Sequence, residues 1–143
     1  MKKTLSVLLL ITLTLCVLAK SGVVYTSLVI DARDIRLNRS MSPKVLNESG
    51  LEVYGTILNE KDLDYVMDNG VVSYIDSLAN AKKHLSPRLG DNPLVIKAKG
   101  VVGKTGSNVV LSNSDSAKVL ELNKKFRFLD NFKVIILLTP QND

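Results

Sequence analysis

"FKVIILLTP", residues 132–140, carries five apolar positions in a row, Val134 to Leu138, before Pro140 ends the run. A strand with one wet face alternates apolar and polar residues, so an uninterrupted run needs cover on both faces or a central place in its sheet. The stretch "VVYTSLVIDA", residues 23–32, sets Val24, Thr26, Leu28 and Ile30 on one face and Tyr25, Ser27, Val29 and Asp31 on the other. Both faces are rather apolar and β-branched, which predicts a second interior strand.

The remaining segments read around these two. "KVLNESGLEVYG", residues 44–55, places Gly50 between two short β-type runs and predicts a hairpin. "LVIKAKGVV", residues 94–102, sets Leu94, Ile96 and Ala98 opposite Lys97 and Lys99, a half-exposed strand that "NVVLS" returns. Between them Leu63, Val66, Met67, Val71, Tyr74, Ile75, Leu78 and Leu85 recur at helical spacing. Asn69-Gly70 divides that segment into a short turn of helix and a longer helix over about 71–84, with Pro87 as the stop. Ser112 to Asp115 offers N-caps for a last helix with Ala117, Leu120 and Phe128 on its apolar stripe. The order β-ββ-α-ββ-α-β predicts an α+β fold: a mixed or mainly antiparallel sheet with helices packed on one face.

At the N-terminus, Lys2 and Lys3, an apolar run from Leu5 to Ala19 and small residues near its end form a secretory signal, with cleavage expected after Ala19. About 15 apolar residues are too few to span a bilayer core, which takes about 20. Lipidation at Cys16 is disfavoured by Leu15, where a small residue belongs, and by Val17-Leu18 behind it. Residues 1–19 are therefore read as a signal peptide and 20–143 as a single domain without cysteine, able to bury one core without disulfides. Nineteen basic residues against fourteen acidic give a formal charge of +5, which is mild and scattered, and nucleic acid is not an expected partner.

"AKGVVGKTGSNVVLS", residues 98–112, spaces Ala98, Gly103, Lys104 and Thr105 like a relaxed phosphate loop. Such a loop must open a helix whose first amides meet the phosphates. Gly106, Asn108 and two valines continue here as strand, so a β-turn is expected and no nucleotide. His84, the only histidine, suits the negative end of a helix, and no Gly-x-Ser-x-Gly elbow accompanies it. Neither the His and Cys content nor "DLDYVMDNG" has a metal-binding spacing, so no metal and no cofactor is expected. The densest charged cluster is the loop after the first strand, which runs on to Arg39; Asp31, Arg33, Asp34 and Arg36 of this loop, with Tyr54 nearby, are the five candidate binding residues.

Several phrases, in order, carry a family likeness: "YTSLVIDARDIRLNRSMSPKVLNESGLEVYG", "YVMDNGVVSYIDSLANAKK", "GDNPLVIKAKG" and "LSNSDSAKVL". Together they resemble the C-terminal domain of the twenty-kilodalton envelope lipoprotein family of Gram-negative bacteria, which has flagellum-associated members. The resemblance spans nearly all of the chain after the signal. It implies an exported, non-enzymatic protein of the periplasm, with outer-membrane association, self-association and envelope or flagellar proteins as partners. Tyr25, Asp31, Ala32, Arg33, Ser42, Pro43, Tyr54, Gly55, Asn92, Pro93, Ser112, Asn113 and Asp115 are the matching positions. Asp34 stands where many relatives have glycine, and the lipid-attachment box of the lipoprotein members is missing.

The leading expectation is a periplasmic structural or assembly factor. A small-molecule or glycan-binding module using the Asp31–Arg39 loop is the alternative. A carboxylate-based hydrolase ranks last, for want of a base and nucleophile pair.

Overall fold

The computed structural model describes residues 22–140, so the expected signal segment lies outside the described residues. Twelve elements follow in order: β1 (Ser27–Asp31), β2 (Val45–Asn47), β3 (Glu52–Tyr54), α1 (Glu60–Asn69), β4 (Ser73–Ile75), α2 (Leu78–His84), α3 (Ser86–Leu89), β5 (Pro93–Lys97), β6 (Gly100–Val102), β7 (Asn108–Leu111), α4 (Asn113–Phe126) and β8 (Val134–Leu137). The α+β class holds, with the strands divided between two four-stranded sheets.

The first sheet runs β4-β8-β1-β5 and is parallel throughout. Its two interior strands are the two apolar runs of the sequence, and every residue of β8 is buried. Register explains why both faces had to be apolar. Leu28 pairs with Val134 and Leu94, and Ile30 with Ile136 and Ile96, giving one buried face. Val29, Ile135 and Leu137 form the other, against Ala81, Leu89, Leu78 and Leu85 of the α2–α3 region. Each fully buried aliphatic side chain contributes about 1.5–3 kcal/mol, so this sheet is the main source of stability.

The second sheet runs β3-β2-β7-β6, with β2 and β7 parallel and the two outer pairs antiparallel. It shares one core with the first sheet: Val45, Val53, Val109 and Leu111 join Leu28, Ile30, Val134 and Ile136, with Val119 of α4 and Phe128 beyond it. Gly50, at φ 85°, makes the β2–β3 hairpin turn as expected. The stretch from Pro93 to Val102 serves both sheets. Ala98 N–H still donates to Asp31 O (2.9 Å), while Lys99 N–H donates to Val110 O (2.8 Å), so the chain changes sheets between them. "NVVLS" consequently returns β6 and not β5.

The expected long helix over 71–84 is shorter. Val71 and Val72 are buried, Ser73–Ile75 is strand β4 on the edge of the parallel sheet, and α2 starts only at Leu78. Ser77 caps it, its Oγ accepting from Asn80 N–H at 3.1 Å. Pairing of Tyr74 with Ile136 outweighs the helical periodicity of this stretch, whose β-branched and aromatic content suits a strand. In α4, capped by Ser112 Oγ on Asp115 N–H at 3.0 Å, the buried residues are Ser116 and Val119, while Leu120 of the expected stripe is exposed.

Candidate functional site

A parallel sheet has two unlike ends, and the candidate residues divide between them. At the carboxyl end stands the loop after β1. The Arg33 guanidinium grips Asp31 with two bonds, Nε to Oδ1 and Nη2 to Oδ2, both 2.9 Å. This hydrogen-bonded pair holds the Asp31 carboxyl below the usual carboxylate range. Lys97, at the end of β5, reaches Asp34 at 2.7 Å, which raises the lysine above its ordinary value. Three of the five candidate residues therefore satisfy one another or a neighbouring strand. Arg36 is exposed and makes no ion pair among the described residues.

Tyr54 does not join this loop. It is buried in β3, where its hydroxyl donates to Val71 O at 2.5 Å, and burial pushes its phenol far above the usual tyrosine value. Val71 leads into the amino end of β4, so Tyr54 belongs to the opposite end of the parallel sheet. The aromatic residue beside the loop is Tyr74 of β4. Its hydroxyl accepts from Ser40 N–H (3.1 Å) and donates to Ser40 O (3.2 Å), and Arg39 lies over its ring at 5.8 Å. Burial raises this phenol too.

Arg39, Tyr74, Asp76, Asn80, His84 and Leu138 line a shallow cavity of 340 Å³. Asp76 accepts from Asn80 Nδ2 at 2.6 Å, the main cause of a carboxyl held below its usual range. His84 is exposed in the last turn of α2, the place its sequence position suggested. The phosphate-loop look-alike is the turn between β6 and β7, as expected. That turn is tied to the β1–β2 connection: Asn38 Nδ2 donates to Thr105 O at 2.7 Å, and Asn38 N–H to Gly106 O at 2.9 Å. Lys104 thereby lies on a turn tethered to the connection that carries Arg36, Arg39 and Met41, the last 93% exposed.

The amino end is different. Helix α1 buries none of its residues. Leu63 is 46% exposed, Tyr65 42% and Met67 75%, and Leu58 just before the helix is 92% exposed. The same helix carries Glu60, Asp62, Asp64 and Asp68 against one lysine, Lys61, and none of these acids has a cation within 4 Å among the described residues. Tyr65 stacks on Phe132 at 5.5 Å between centroids, and buried Arg88 of α3 donates to Asn69 O and Gly70 O, both at 3.1 Å. These contacts fix α1 in place by its carboxyl end and one ring. Beside it runs a groove of 570 Å³ between edge strand β3, the end of α4 and the loop before β8, lined by Leu58, Leu120, Leu129 and Phe132 with Glu52, Asp62 and the ion pair of Arg127 Nε with Asp130 at 2.8 Å. Arg127 and Phe132, two non-glycine residues with positive φ (58° and 55°), frame the loop.

No three His, Cys, Asp or Glu side chains gather as a metal-holding group among the described residues, and no helix there is long and apolar enough to cross a membrane. Composition had drawn attention to the basic loop because its charges are adjacent in sequence. The acidic helix was as visible, but its apolar residues had been assigned to the core.

Fold and surface together define an α+β domain with a parallel and a mixed sheet. Residues 27–140 match the family model described as Treponema pallidum Tp0624, second domain, and the chain belongs to that family. A comparison with curated proteins gives no match.

Proposed function

We propose that this chain is an exported envelope protein that acts by docking, a structural or assembly factor of the periplasm. The observation that carries this reading is α1: a helix without one buried residue, bearing exposed Leu63 and Met67 beside a groove with a free strand edge. Apolar surface left open along a helix and an adjacent groove is the physical mark of a protein-binding face. The signal-like N-terminus and the likeness to the twenty-kilodalton envelope lipoprotein family, with its flagellum-associated members, favour an envelope or flagellar partner.

A photoreactive residue at position 63, in the full chain expressed in cells, tests this. Crosslinks to an envelope or flagellar component, or to the chain itself, from position 63 but not from Lys118 on α4 support docking through α1. Equal crosslinking from both positions, or none from 63, refutes it.

The 340 Å³ cavity under Arg39 favours a second reading, a small-molecule or glycan-binding module at the loop. It predicts a ligand-dependent rise in melting temperature that Arg39→Ala abolishes. A rise that persists in Arg39→Ala refutes it.

A further inference from the structure

We infer that the occupant of the α1 face is the basic patch at the other end of a second copy of this chain, so that molecules associate head to tail. The inference rests on the docking reading above and names its partner. Two independent features of the surface carry it.

The first is electrostatic frustration in α1. Glu60 and Asp64, and Asp64 and Asp68, are spaced i,i+4, where like charges on a helix repel. The helix has no fully buried side chain to offset this repulsion, only Val66 partly buried against the core and Tyr65 stacked on Phe132. A cationic cover with its own apolar contact relieves both deficits at once.

The second is that the chain itself carries such a cover. Asn38 binds the β6–β7 turn against the β1–β2 connection, so Arg36, Arg39 and exposed Met41 of the connection and Lys104 of the turn lie on two tethered loops, and the three cations have no ion pair among the described residues. The sequence holds 14 acidic residues, and four of them lie on α1 with a single lysine, while the chain as a whole is basic. A second copy therefore matches in charge and in apolar content.

The parallel sheet sets the geometry. Its amino end is entered from α1 and its carboxyl end leads into the β1–β2 connection, so the two features meet the sheet at opposite ends in one molecule. A contact between unlike faces is heterologous, and unless its rotation closes a ring it repeats without limit. A helix of ten residues is about 15 Å long, which makes each contact small, concentration-dependent and sensitive to salt.

The test uses sedimentation equilibrium on residues 20–143, which keep every described element. The parent chain grows in mass with concentration at low salt and dissociates as salt rises. Asp62→Lys with Asp64→Lys leaves both faces basic; Arg36→Glu with Arg39→Glu leaves both acidic. Each pair is expected to weaken association at least tenfold, and the chain carrying all four changes is expected to recover it. Circular dichroism shows the variants folded, since all four positions are at least partly exposed.

A parent chain that stays monomeric at low salt and high concentration overturns the inference, as do reversals without effect or a quadruple variant no better than either pair. Position-63 crosslinks to a different protein, with a monomeric parent, sink the second-copy partner and leave the docking reading standing. Absence of both defeats the two together.

Discussion

Gly90 closes α3 at φ 66°, and a Cβ placed there meets Thr26 Cβ at 2.5 Å and Oγ1 at 2.6 Å. Thr26 is no idle neighbour: its hydroxyl donates to Leu89 O (2.8 Å) and accepts from Asn92 N–H (3.0 Å), joining the end of α3 to the entry of β1 and β5. Gly90→Ala must hold an alanine at φ 66° and ψ −163°, a region essentially reserved for glycine, at roughly 1–2 kcal/mol, and displace a side chain making two hydrogen bonds of about 1 kcal/mol each, for a total of about 3–4 kcal/mol. In a domain of this size that lowers the melting temperature by roughly 10–15 °C. Thermal and urea unfolding measure it. Thr26→Gly removes the three atoms in the way, so the double variant should lose less than the sum of the singles by about 1–3 kcal/mol. A Gly90→Ala protein within about 0.5 kcal/mol of the parent, or additive losses in the cycle, refutes this account of the junction.

Ile136→Asp places a charge between β4 and β1 in a strand buried on both faces and is expected to abolish the cooperative unfolding transition, whereas Ile136→Val costs only about 0.5–1.5 kcal/mol. A cooperative, parent-like melt for the aspartate variant contradicts the two-sided core. Because burial holds the Tyr54 and Tyr74 phenols above their ordinary value, the folded chain keeps protons that the unfolded chain releases above about pH 10. Stability is full below that pH and falls as pH rises beyond it; denaturant titrations should show a flatter alkaline decline in Tyr54→Phe, and an unchanged slope disproves the assignment. Arg33→Ala frees the Asp31 carboxyl, whose titration by NMR should move up toward the ordinary carboxylate range. Ser112→Ala removes the α4 cap and should cost about 1 kcal/mol by chemical denaturation, an absence of loss counting against the cap.

The interior strands were legible because their signal is strong and local: Val134–Leu137 and Ser27–Asp31 cannot tolerate water on either face, and periodicity says so. Their parallel pairing was not, because β1 and β8 are brought together by segments whose path depends on tertiary contacts. The change of sheet at Ala98–Lys99 was invisible for a similar reason, since one extended run of sequence has no mark where its partner changes. Residues 71–84 failed through competition: Val71, Tyr74, Ile75 and Leu78 fit a helical stripe as well as an edge strand, and only β8 decides. In the candidate site, Asp31, Arg33 and Asp34 were visible as a cluster, but their mutual pairing leaves the free charge to Arg36 and Arg39. Arg88, buried among the carbonyls that end α1, carried no local signal at all.

The separation of the Arg36–Arg39 connection from the acids of α1 follows from the architecture more than from the number of charged residues. In an antiparallel sheet, hairpins return the chain to the same end and mix the loops of successive strands. In the parallel sheet here the chain leaves β1 at the carboxyl end and enters β4 from α1 at the amino end, so the loop after β1 and the helix before β4 are held at opposite ends of that sheet. A basic loop and an acidic helix that could neutralise one another within one chain are thereby kept apart. The mixed sheet stiffens the arrangement, because the same β1–β2 connection that carries Arg36 and Arg39 is tied to Thr105 and Gly106 through Asn38. Asn38→Ala removes the side-chain tie to Thr105 without touching a charge and leaves only the backbone bond to Gly106, so if the basic patch acts as a unit this loosening should weaken association in the same direction as Arg36→Glu, while leaving α1 intact.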